Sequence, residues 1–131
     1  MQRRWLGAAL IAIIALLPAC GGGGGSSSSA PCPPAEDTRA AVNGKITICA
    51  FDIRFDVKNI TAPAGPLEVT LINKGSIAHT FQIPDKNFEL ATPKKNDTKT
   101  GSVTLEKGTY TFRCTISGHE AAGMKGKITV S

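Results

Sequence analysis

Histidine is scarce in this sequence: two among 131 residues, His79 and His119. No CxxC pair and no HxxxH pair is present, which counts against the closed cysteine and histidine sets that structural zinc sites prefer. Aromatic residues make up 5% of the chain, with one tryptophan and one tyrosine, and no basic run is interleaved with them. Stacking platforms for nucleic acid are therefore missing. Charge points the same way: the formal net charge is +5, or +3 once Arg3 and Arg4 are set aside, too small and too dispersed for a nucleic-acid footprint. Long apolar runs are absent as well. The longest, Trp5 to Leu17, falls short of the roughly 20 residues that a spanning helix needs.

What is present begins with that run. Two arginines, a short apolar stretch and small residues at its end make a secretory signal peptide over 1–19. Arg3-Arg4 lacks the rest of a twin-arginine signal, so the ordinary secretion route is expected. Leu17-Pro18-Ala19-Cys20 resembles the bacterial lipobox, although Pro18 replaces the usual small residue. The resemblance implies that Cys20 carries lipid and becomes the first mature residue. Each buried methylene contributes roughly 0.8 kcal/mol, so more than one acyl chain gives stable attachment. Five glycines, four serines and a proline-rich turn follow Cys20, and 20–42 reads as a tether with no core of its own.

From 43 to 131 the pattern is that of short strands. Ile46 and Ile48 alternate with polar neighbours, and so do Phe51, Ile53, Phe55 and Val57, but with the parity shifted. That shift predicts a bulge or a strand changing sheets. Leu67-Val69-Leu71, Val103-Leu105 and Tyr110-Phe112-Cys114 repeat the alternation, and Lys127 to Val130 closes the chain. Turn signals at Ala64-Gly65-Pro66, Lys74-Gly75, Pro84-Asp85 and Lys107-Gly108 separate the runs. The polar stretch 84–99 reads as an excursion between strands, with one helical turn near Glu89 to Ala91. The expected fold class is all-β, a sandwich or barrel.

The residues that carry chemistry are Cys114, His119 and Met124, spaced Cys-x4-His-x4-Met at the end of a strand, with His79 opening another strand upstream. Taken singly, each has an ordinary structural reading: a histidine in a strand, a small buried thiol, a packing methionine. Taken together, the only two histidines fall where one site needs them. Thiolate and thioether sulfur suit Cu(I), imidazole suits both oxidation states, and two His, one Cys and a weak axial Met form the ligand set of an electron-transfer copper site.

These segments resemble the cupredoxins, the blue-copper family. The phrase Gly108-Thr109-Tyr110-Thr111-Phe112-Arg113-Cys114 looks like their strand before the metal cysteine. Ser117-Gly118-His119-Glu120 and Gly123-Met124-Lys125-Gly126 look like their ligand loop, and Val69 to Asn73 with His79-Thr80-Phe81 like their first-ligand region. The loop spacing is most similar to auracyanin, rusticyanin and sulfocyanin. The resemblance runs from Lys45 to Ser131 and implies a Greek-key β-sandwich with one type 1 copper ion at one end, held by His79, Cys114, His119 and Met124. Thr80 stands where several relatives carry Asn, and is expected to bridge to Thr115; the Ala78 carbonyl is a further candidate axial contact.

By the same resemblance His119 is the electron port, rimmed by Gly118, Ala121, Ala122, Gly123 and Ile77. Lys74, Lys94, Lys95, Lys99 and Lys125 either steer an acidic redox partner or simply keep the surface soluble. With Cys20 assigned to lipid and Cys114 to copper, Cys32 and Cys49 remain. In an oxidising compartment they are expected to pair, two free thiols being the alternative. The functional expectation is an exported, membrane-anchored, monomeric one-electron carrier. A copper-handling protein without electron transfer is the alternative. Two histidines cannot furnish the second copper of a copper enzyme, so no catalysis is expected.

Overall fold

The computed structural model describes residues 31–131. The leader 1–19, Cys20 and the Gly/Ser part of the tether lie outside them. Ten strands follow: β1 (Glu36–Ala40), β2 (Lys45–Phe51), β3 (Arg54–Phe55), β4 (Val57–Ala62), β5 (Gly65–Asn73), β6 (His79–Ile83), β7 (Phe88–Thr92), β8 (Thr98–Leu105), β9 (Gly108–Arg113) and β10 (Lys125–Val130). A single 3-10 turn, Pro84–Lys86, is the only helical piece among the described residues. The strands form two mixed sheets, ordered β1-β4-β10-β9-β6-β7 and β3-β2-β5-β8. Pairings between strands distant in sequence, β4 with β10 and β5 with β8, give the sandwich its crossed connections.

Alternation explains the layers. Leu67, Val69 and Leu71 of β5, Val103 and Leu105 of β8, and Ile128 and Val130 of β10 turn inward, while their neighbours, apart from the buried Ile72, are half-buried or exposed. At the centre the Phe81 and Phe112 rings stack with centroids 4.9 Å apart, and Phe55 meets both edge-on at 5.9 and 5.6 Å. Such aromatic pairs contribute about 0.5–1.5 kcal/mol beyond their buried area.

Three sequence expectations change. First, the folded body starts earlier than 43: β1 lies inside the stretch 20–42 expected to be tether, paired in parallel with β4 from Glu36↔Val57 to Ala40↔Thr61. No apolar alternation marks β1, because Arg39 is its one buried residue. Arg39 instead fastens the strand, donating to the carboxylates of Glu36 (2.6 Å) and Asp56 (3.0 Å) and to the carbonyls of Thr47 (2.8 Å) and Pro34 (2.9 Å). Burial pushes the Asp56 carboxyl up, and the Cys49 N–H and the Arg39 guanidinium oppose that rise. Second, the run from Phe51 to Val57 is not one strand. It reverses tightly at Asp52-Ile53, with Ile53 exposed and in the left-handed region at φ 60°, and then crosses to the other sheet at Val57. The parity shift between Ile48 and Phe51 itself marks neither a bulge nor a change of sheet, because β2 runs unbroken to Phe51 in register with β5; the sheet changes only at Val57. Third, Glu89 to Ala91 belong to β7, not to a helical turn; Leu90 is buried between exposed neighbours, as a half-buried strand requires. The helical turn sits just upstream, at Pro84–Lys86.

Cys32 and Cys49 form a disulfide with Cα atoms 5.9 Å apart. Cys49 is fully buried at the strand end where β2 pairs with Ile72 of β5. No helix among the described residues is long and apolar enough to cross a membrane.

Candidate metal centre

Three neighbouring strands of the six-stranded sheet place the chemistry at one end of the sandwich. β9 ends at Arg113 and delivers Cys114, β6 opens with His79, and β10 opens one residue after Met124. The strand order β10-β9-β6 makes these adjacent. Between Cys114 and Met124 the loop folds on its own backbone. His119 N–H donates to the Ile116 carbonyl, Ala122 N–H to Gly118, and Gly123 N–H to Glu120, each at 3.0 Å. Met124 closes it: its N–H donates to the His119 carbonyl and its carbonyl accepts from Cys114 N–H, both at 3.0 Å. Gly118 (φ 83°) and Gly123 (φ 102°) take left-handed turns that other residues adopt only with strain.

His79, Cys114 and His119 are all buried, and one ligand-type atom from each lies within 4.8 Å of the others. His119 Nδ1 is 3.4 Å from Cys114 Sγ. Met124 is fully buried beside Cys114 in the same core. Both ring nitrogens of His79 are buried without a hydrogen-bond partner. A buried polar atom left unpaired costs about 1–3 kcal/mol, so an imidazole kept this way fits an atom that takes its lone pair. Burial, then repulsion from His119, hold the His79 imidazole below its ordinary pKa, with Asp52 pulling the other way. A neutral imidazole is the form that binds metal. Thiolate, two imidazoles and a nearby thioether, shut away from water, make a donor set compatible with a type 1 copper centre.

The supporting shell was only partly foreseen. Thr80 bridges the two ligand segments as expected: its Oγ1 accepts from Thr115 N–H at 2.7 Å and lies 2.8 Å from Thr115 Oγ1. Its own N–H points at Cys114 Sγ, 3.5 Å away. Replacing Thr80 by valine keeps the volume and deletes the bridge. The expected result is a loss of about 1–3 kcal/mol, read as a lower urea midpoint with the slope unchanged, from the Thr115 N–H left without its acceptor. An unaltered midpoint would remove the bridge from the account.

Asn73 and Asp52 were not anticipated. The Asn73 amide, fully buried, donates to the carbonyls of Ile77 (2.8 Å) and Thr92 (3.0 Å), and its oxygen accepts from Gly75 N–H (2.9 Å), so it shapes the loop that leads into His79. The carboxylate of Asp52 accepts from the Ser76 N–H (2.7 Å) and hydroxyl (3.1 Å), which lower its pKa. Gly75 fits between: a methyl there would lie 2.7 Å from Asp52 Oδ1 and 2.8 Å from His79 Nε2, closer than real side chains approach. A buried asparagine ending an apolar strand before Lys74-Gly75 was the available sequence signal. On the other flank Arg113 donates to Gln82 (2.9 Å) and to Glu120 (3.2 Å), tying the ligand loop to β6.

Of the other residues singled out, Ala78 is half-buried directly before His79, and Ala121, Ala122, Gly118 and Gly123 are exposed around the loop. Ile77 is 41% exposed. Lys94 and Lys95 are exposed on the turn after β7, which is bonded to Asn73 at the same end, with Lys74 beside it. Lys125 opens β10, and Lys99 lies on the edge strand β8. Cys20 lies outside the described residues.

The cupredoxin-like domain model matches residues 10–130. No curated protein sequence matches the chain. Among solved structures, dithionite-reduced auracyanin from Roseiflexus castenholzii is 25% identical with a TM-score of 0.60, over 70% of this chain and 99% of that one. Auracyanin A from Chloroflexus aurantiacus, described as a blue copper protein, shares the fold at 21% identity and a TM-score of 0.56, over 66% and 98%. Reduced rusticyanin matches at 25% identity and a TM-score of 0.55, over 72% and 85%.

Proposed function

This chain belongs to the cupredoxin-like family, and from that premise we propose that it is an exported, lipid-anchored one-electron carrier. The observation that carries the reading is the convergence of His79, Cys114 and His119 within 4.8 Å in a buried pocket. His79, Cys114, His119 and Met124 would hold the metal, which when bound supplies a Cu(II)/Cu(I) couple exchanging one electron. The protein's part is positional. Burial excludes water, the Thr80 N–H steadies the Cys114 sulfur as a thiolate, and hydrogen bonds on both flanks fix the segments that carry the ligands. A site held by a packed sheet resists rearrangement between two charge states.

His119 is the port. It sits 6% exposed, and Ala121 and Ala122, which follow it in the ligand loop, are exposed. Small apolar side chains there let a redox protein approach at little desolvation cost. Lys74, Lys94 and Lys95 lie at that end and suit a partner with an acidic rim. The carrier works as a monomer and catalyses no reaction of its own, consistent with a chain of two histidines. Lipid on Cys20 places it on the extracytoplasmic face of the membrane.

Two measurements test the reading. Copper-loaded protein is expected to be intensely blue and to bleach on reduction; a colourless loaded protein would refute it. Met124→Leu is expected to keep the colour and raise the potential in cyclic voltammetry, because a weak donor that favours Cu(II) is lost. An unchanged potential would take Met124 out of the ligand set.

A further inference from the structure

The point where the chain enters the folded domain lies at the same end as the metal site. The strand registers establish this. β10 leaves the ligand loop at Lys125 and runs away from it. β4 runs parallel to β10, with Asn59 level with Lys127 and Ala62 with Val130. β1 runs parallel to β4 in turn, with Glu36 level with Val57. Glu36 therefore starts at the metal end, and Pro34, held by Arg39, lies just before it. The Cys32–Cys49 disulfide pins the chain at the same end, because Cys49 and Ala50 pair with Ile72 and Asn73, and Asn73 shapes the His79 loop. Two strands, β4 and β10, separate β1 from the strand that carries Cys114. The entry point is thus offset from the site by only about 14 Å at the usual strand spacing. Ser131 is at the opposite end, bonded to Ala62 and Ala64.

We propose that the domain hangs from the membrane by its metal end, and that its partner is a membrane-bound redox protein whose redox centre lies close to the bilayer surface. This rests on the lipid attachment at Cys20 proposed above. Cys20 and Cys32 are joined by a chain that spans at most about 40 Å even when fully extended. The disulfide stops that reach from growing by peeling β1 away. The surface of this end also suits an encounter. Two of the three large exposed hydrophobic residues among the described residues, Ile53 (45%) and Ile77 (41%), sit there. They follow Asp52 and Ser76, which are hydrogen-bonded to each other, so both isoleucines lie on the same pair of joined turns. Ile53 is held at a φ of 60°, a conformation that costs a β-branched residue energy and tends to persist where a side chain has work at the surface. With Lys74, Lys94 and Lys95 nearby, the partner face it fits is apolar with carboxylates around it.

The test uses the full lipidated chain, zinc-loaded to avoid quenching by copper, in phosphatidylcholine vesicles with an acceptor dye on a minor lipid. A donor dye is placed at Lys95→Cys, at the metal end, or at Lys107→Cys, on the turn at the far end. Energy transfer to the bilayer is expected to be about twofold or more stronger from position 95, since the ends of a six-residue strand are roughly 20 Å apart. Equal or reversed efficiencies would overturn the orientation. Failure of the chain to sediment with vesicles would instead remove the lipid anchor, and the proposal with it, leaving the copper reading intact.

A second arm moves the lipid to the far end, with Cys20→Ser and a lipid coupled at Ser131→Cys, and follows bleaching of the copper-loaded protein by ferrocene-bearing lipids. Each ferrocene gives up one electron to one Cu(II). Slower bleaching than from the natural attachment is expected. The same rate from either attachment would show that the position of the metal end does not matter, against the proposal.

Discussion

Cys114→Ser is expected to abolish the thiolate-to-copper absorption completely and leave the copper-treated protein colourless. The reason is electronic. Only a thiolate gives the intense visible band, and a serine hydroxyl stays protonated and is too hard a donor for Cu(I). The structure makes this a clean substitution. Cys114 is the one free cysteine among the described residues and is fully buried, so its thiol has no disulfide to lose. The Thr80 N–H that now faces sulfur at 3.5 Å can face oxygen instead. The metal-free variant should therefore keep its circular dichroism and melt as a cooperative unit. Surviving blue colour in the folded variant would show that another residue supplies the chromophore, and the ligand assignment would fall.

The second large effect is on folding. Gly126→Ala is expected to cost about 3 kcal/mol or more, at the upper end for inserting one methyl group into a packed core. The methyl would run into the Lys58 carbonyl of β4 and the ring of Phe112. Neither neighbour can give way. The carbonyl belongs to the backbone of a paired strand, and Phe112 is stacked on Phe81 and edge-packed on Phe55. At about 4–8 °C per kcal/mol for a domain of this size, the melting temperature should fall by at least about 12 °C. Because Gly126 follows Met124 by two residues, the copper spectrum should change as well. A loss below about 1 kcal/mol would show that β10 can shift off β4, and the close packing described for it would be wrong.

Sequence legibility divides along a physical line. Side chains whose chemistry is rare in this chain were easy to find: the only two histidines, the one methionine outside the leader and a cysteine at a strand end. The structure gathers His79, Cys114 and His119 and buries Met124 with them. Strands that bury one face were equally plain, because β5, β8, β9 and β10 carry a period of two. β1 escaped notice because hydrogen bonds and one buried arginine hold it, and neither leaves an apolar pattern. The Asp52-Ile53 turn was hidden by an alternation that runs straight through it, since isoleucine is a residue that turn chemistry disfavours. Asp52 acts through Ser76, far along the chain, and such a pairing has no local signature, whereas Asn73 joins a distant partner, Thr92, to local ones at Gly75 and Ile77.

The ligand-bearing segments all spring from β6, β9 and β10, adjoining strands of a single sheet. Their mutual spacing is therefore set by pairing within one layer, while Asn73 of β5 and the Asp52 turn couple His79 to the opposing layer. A register slip of one residue between β9 and β10 would ruin the centre, and an insertion in β5 ahead of Asn73 would detune it through the loop that leads into His79.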